Sequence, residues 1–88
     1  MSEERFTGTV CYADGKTRRA AVQLCGGYSI FEVRAGPAPE VGDMLTGKLR
    51  RPGSTVLTSH GGWHFSVFVE EVECSAHRVA ELFRPDRT

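Results

Sequence analysis

Residues 54–72 read STVLTSHGGWHFSVFVEEV. Two runs of alternating apolar and polar residues flank Gly61-Gly62, the pattern of a β-hairpin. A Gly-Gly pair supplies positive φ at both central positions of a tight two-residue turn. Such a turn pairs His60 with Trp63, Thr58 with Phe65, and Val56 with Val67. Side chains alternate across a strand, so one face carries Val56, Trp63, Phe65, Val67 and Val69 and is expected to be buried. The other carries Leu57, Ser59, His64, Ser66, Phe68 and Glu70, polar apart from Leu57 and Phe68. A slip of one residue would exchange the faces, so this register carries the fold.

The rest of the chain supplies strands to pair with this hairpin. Phe6–Ala13 alternates Phe6, Gly8, Val10 and Tyr12 against Thr7, Thr9 and Cys11. Asp14-Gly15 signals a turn, and Ala20, Val22 and Leu24 alternate beyond it. A three-residue loop, Asp14-Gly15-Lys16, pairs Phe6 with Leu24 and Val10 with Ala20 and makes the faces agree. Gly26-Gly27 marks a bend or bulge before a third strand, Tyr28–Arg34, with Phe31 and Val33 inward. AGPAPEVGD, residues 35–43, carries two prolines and two glycines and reads as a loop. Met44–Arg50 is a fourth strand with Leu45, Gly47 and Leu49 on one face. Ser75 can cap a helix over 75–84 whose apolar stripe is Val79, Leu82 and Phe83, with Pro85 beyond its end. Residues 1–4 read as a polar tail.

These elements predict one all-β domain, a closed or partly open barrel of five to six antiparallel strands with a short C-terminal helix. A chain of 88 residues buries roughly 60–65% of its unfolded surface, enough for one modest core. Lys plus Arg equals Asp plus Glu at 11 each, so no global charge favours nucleic acid or membrane. No apolar run reaches the roughly 18 residues of a membrane span. MSEERF lacks the basic-then-apolar plan of a signal peptide. The three cysteines, Cys11, Cys25 and Cys74, show no CxxC spacing and fit reduced thiols, so a cytoplasmic location is expected.

The strand order, the glycine within FTGTV and the stretch EVGDMLTGKL resemble OB-fold and related small barrels. OB folds usually carry a helix between the third and fourth strands. Here AGPAPEVGD holds that place, which points to a lost helix or a six-stranded relative. The aromatic KGFGF-type motif of cold-shock domains and the RxxxR and [DN]xSxxG motifs of PilZ domains are not present as such. The resemblance implies single-stranded nucleic acid or RNA binding by a non-enzymatic module, with bases stacked on outward aromatics beside a basic groove. Phe68 and His64 are then the stacking candidates, and Arg19, Lys48, Arg50 and Arg51 the phosphate contacts.

Other readings compete. Balanced charge and outward Leu57 and Phe68 favour a protein-interaction module or a homodimer joined through an outer sheet face, unless the last helix covers both. Tyr12 and Arg18 would face each other at a barrel mouth, either sealing it or lining a small-ligand site. His60 and His64 point to opposite faces and cannot easily share a metal ion. No catalytic residue, metal site or cofactor is expected, since GxGxxG, GxxxxGK[ST], HExxH and GxSxG are all absent.

Overall fold

A computed structural model describes residues 5–83. The strands are Phe6–Asp14 (β1), Arg19–Leu24 (β2), Gly27–Ala35 (β3), Met44–Gly47 (β4), Gly53–Ser59 (β5) and His64–Cys74 (β6), and one helix follows, Ala76–Leu82 (α1). All neighbours pair antiparallel, and the sheet closes in the order β1-β2-β3-β6-β5-β4 with β4 returning to β1. The all-β barrel is therefore closed and six-stranded, and residues 36–43 form a loop with no helix. Closure pairs the strand edges that an open sheet of this size would expose.

Alternation places the core. Phe65, Val67 and Val69 of β6 meet Phe31 and Val33 of β3, Val10 of β1, Val22 of β2, and Leu45 and Leu49 from β4 and its end. The inward faces expected for the third and fourth strands are observed. Gly8 of β1 sits where β1 packs closely on β2. A Cβ there would lie 2.3 Å from Val22 Cγ1 and 2.6 Å from the Gln23 carbonyl oxygen, so no larger residue fits without movement. Ser29 is fully buried, and its hydroxyl donates to the Leu49 carbonyl, tying the chain after β4 to β3.

The register of the decisive hairpin differs from expectation by one residue. Leu57 pairs with Phe65, Val56 with Ser66 and Thr58 with His64. The turn is a three-residue loop, His60-Gly61-Gly62, closed by Ser59 N–H donating to Trp63 O at 2.8 Å and Gly62 N–H donating to Ser59 O at 3.0 Å. Gly62 alone of the two glycines has positive φ, at 94°, as the last position of such a loop requires. The Ser59 hydroxyl also accepts from Trp63 N–H. The β6 face is as expected, but the β5 face is reversed: Leu57 is fully buried and Val56 is 51% exposed. Trp63, expected inside, is 65% exposed because it closes the turn beyond the barrel rim.

The first hairpin also shifts. Thr9 pairs with Gln23 and Val10 with Val22; a bulge at Cys11 then leads to Tyr12 opposite Ala21 and Asp14 opposite Arg19. Four residues, 15–18, make the loop, with the Asp14 carboxylate accepting from Lys16 N–H and Arg18 in the left-handed region at φ 59°. The bulge lets Val10 and Val22 share the core without a three-residue loop. The expected Tyr12–Arg18 pair does not form. Arg18 donates to the Val33 and Gly36 carbonyls, and Tyr12 packs against Phe83 with tilted rings whose centroids are 5.6 Å apart.

Helix α1 begins as its cap residue dictates: the Ser75 hydroxyl accepts from Arg78 N–H at 3.1 Å. Val79 is buried with Ala21, Ile30 and Cys74, and Phe83 and Tyr28 pack at the margin, while Leu82 is exposed. The helix thus caps the outer face of β2 and β3. It is not gathered over Leu57 or Phe68: Leu57 is interior, and Phe68 is half-buried beneath Arg34. Arg78 holds the Glu71 carboxyl below its ordinary range through a two-point pair at 2.7 and 3.1 Å. Burial, then Glu71, pushes the Cys74 thiol up. The expected tail at 1–4, residue 84 of the helix and Pro85 lie outside the described residues.

Candidate functional site

Three connections meet at one end of the barrel: the β1–β2 turn, the β3–β4 loop and the β5–β6 turn. Between the last two lies a cleft of about 470 Å³. Its floor is Phe65, which is nearly buried, and its rim carries Trp63, Met44 and His60. The opposite wall is the loop, with Pro37, Pro39, Glu40 and Asp43.

Both walls are fixed by bonds that the sequence makes available. Arg18 donates to the Gly36 carbonyl at 2.7 Å and to the Val33 carbonyl at 3.3 Å, bracing the start of the loop. At its end Val10 N–H donates to Asp43 O, and Gly42 N–H donates to Val10 O, both at 2.8 Å. Between these anchors Asp43 N–H donates to Glu40 O and the Asp43 carboxylate accepts from Glu40 N–H. Pro39 is buried, and two prolines limit what the loop can do when nothing is bound. On the other wall His60 N–H donates to Met44 O, joining the turn to β4. A cleft held this way costs little ordering on binding.

The six residues expected to form a nucleic-acid face separate into groups. Phe68 lies on the outer face of β6, where the Arg34 guanidinium stands over its ring, 5.2 Å from the centroid. Arg19 is nearby on β2 but is held by Glu70 in a two-point pair at 2.9 and 3.1 Å, which raises its pKa above the ordinary value. Arg50 pairs with Glu73 and stacks on Phe6 at the far end of the barrel. Lys48 is half-buried and Arg51 exposed in the same connection between β4 and β5. His64 is exposed at the opposite end of β6, its ring Nδ1 bonded with the Thr58 hydroxyl at 3.0 Å. From His64 to Glu73 the strand runs on the order of 30 Å. Two groups therefore form, Arg19 and Phe68 beside Arg34, Glu32 and Glu70, and Lys48, Arg50 and Arg51 in the β4–β5 connection, while His64 stands apart from both.

Among the described residues no cluster of three or more His, Cys, Asp or Glu could hold a metal ion. No helix in that range is long and apolar enough to cross a membrane. Comparison with family models, curated proteins and solved structures gave no match. The residue missed by sequence reading is Trp63. Its signal was its place directly after Gly61-Gly62, since a side chain at the closing pair of a hairpin stands at the rim and not in the core.

Proposed function

We propose that this protein is a non-enzymatic binding module and that it captures a segment of another protein in the cleft between the β3–β4 loop and the β5–β6 turn. The observation that carries this reading is Trp63, a large apolar side chain left 65% exposed beside a braced cleft. Tryptophan is the residue type most enriched among those that dominate interface energies. Met44, 41% exposed, extends the apolar rim. An apolar rim around a pre-formed concavity is a common mark of a recognition surface.

The test is a selection of random peptides against the wild-type protein and against Trp63→Ala. Peptides are expected that bind wild type at least about tenfold more tightly, as loss of an interface anchor predicts. Trp63→Ala should leave stability within about 0.5 kcal/mol, because the side chain lies largely in solvent. Failure to recover any peptide that distinguishes the two proteins rules the reading out.

A second reading, favoured by the Arg34–Phe68 pair, is single-stranded nucleic acid or RNA binding by an OB-type barrel through its outer face. The carboxylates of Glu32 and Glu70 within that face oppose phosphate, which places it second. Fluorescence anisotropy with short oligonucleotides at two salt concentrations decides it. Binding should be strongest at low salt, and its absence there removes this reading.

A further inference from the structure

Resting on the reading that the cleft is the binding site, we propose that its occupant is a cationic side chain, arginine or lysine, presented by an extended protein segment. The charge pattern carries this. Glu32, Glu70, Glu71 and Glu73 each pair with an arginine, and Glu81 faces His77. Glu40 and Asp43 form no ion pair among the described residues; only the Asp43 carboxylate is engaged, by the Glu40 backbone N–H. They are the acidic groups lining the cleft, and among the described residues no lysine or arginine lines it with them. In a chain whose formal charges balance, this leaves a local negative excess beside an exposed indole.

Arginine and lysine match the cleft in both their parts. Their methylene stems lie well on apolar surface, here Met44 and the prolines, while the head stays near solvent. Their charge is attracted to the face of an indole and to carboxylates together. A bare metal ion would leave the apolar wall unused, and among the described residues Glu40, Asp43 and His60 do not converge on one ion. An acidic segment would meet Glu40 and Asp43 unfavourably.

The sole tryptophan of the chain reports directly on the site. The capped peptide Ac-Ala-Arg-Ala-Arg-Ala-NH2 should change Trp63 fluorescence saturably. Its citrulline counterpart, equal in shape but neutral, should bind at least about tenfold more weakly, as expected when a cation–π contact and carboxylate pairing are both lost. Glu40→Gln should weaken the arginine peptide at least about threefold, consistent with one partly exposed charge pair. Glu73→Gln, at the far end of β6 from the cleft, should leave binding unchanged. Raising salt should weaken the arginine peptide and not the citrulline one.

Equal affinity for the two peptides overturns the cationic occupant while leaving the cleft as an apolar site. No response of Trp63 to the arginine peptide also overturns it; the peptide selection against Trp63→Ala then decides separately whether the cleft binds anything. A blue shift of Trp63 on raising protein concentration alone would identify a second copy as the occupant and overturn the proposal. Quenching by a short oligonucleotide in place of the peptide would do the same.

Discussion

Leu57→Ala is expected to lower the free energy of unfolding by about 2–5 kcal/mol, whereas Val56→Ala should cost less than about 1 kcal/mol. The two residues are neighbours on β5, and the register of one hairpin decides which is buried. Leu57 is wholly inside and packs with the core that contains Phe65 and Val67; Val56 stands 51% exposed opposite Ser66. Truncating Leu57 removes apolar contacts and leaves a cavity, and truncating Val56 trims a solvated side chain. Urea unfolding of both variants gives the two costs under one set of conditions. The reverse order would mean that the hairpin closes on a two-residue turn, with Trp63 directed inward.

Gly8→Ala is expected to cost at least about 1–3 kcal/mol, although it adds a single methyl group and improves intrinsic strand propensity. The added carbon would meet Val22 Cγ1 at 2.3 Å, and Gln23 O and Leu24 Cδ2 at 2.6 Å. The side chains could turn aside, but the Gln23 carbonyl belongs to the β1–β2 ladder and cannot yield without disturbing it. Gly15→Ala is the matched comparison: nothing lies within 4 Å of its added carbon, so stability should stay within about 0.5 kcal/mol. Thermal unfolding of the pair checks this. Equal melting temperatures would show that the wall at β1 has slack that the packing denies.

The barrel was legible where alternation is strict. Phe65, Val67 and Val69 on β6, Phe31 and Val33 on β3, and Leu45 and Leu49 after the proline-containing loop all declare their inward face by spacing alone. Ser75 likewise declares the start of α1. Turn length was not legible. Gly61-Gly62 fits a two-residue turn by composition, yet a three-residue loop needs a left-handed residue only at its last position, and Gly62 supplies it. That one extra residue interchanges Val56 and Leu57. The first hairpin misled for a related reason: a bulge at Cys11 shifts the pairing midway, and no residue type announces it. The charges of the expected phosphate groove were visible, but their partners were not. Glu70 and Glu73 reach Arg19 and Arg50 only once distant strands are joined.

The cleft follows from the same register. With the turn closed at Ser59 and Trp63, the indole stands past the rim, and the loop braced by Arg18 and Val10 faces it. An aromatic ring held in water on the hairpin, beside two acidic groups that pair with no arginine or lysine among the described residues, is the basis for reading this end of the barrel as the one that binds.

Acrylamide quenching of Trp63 fluorescence in the folded protein tests that basis most directly. Emission close to that of indole in water is expected, with quenching approaching that of free tryptophan and little changed by denaturant. Blue-shifted emission with strong protection, lost only on unfolding, would place the ring in the core and contradict both the register and the site.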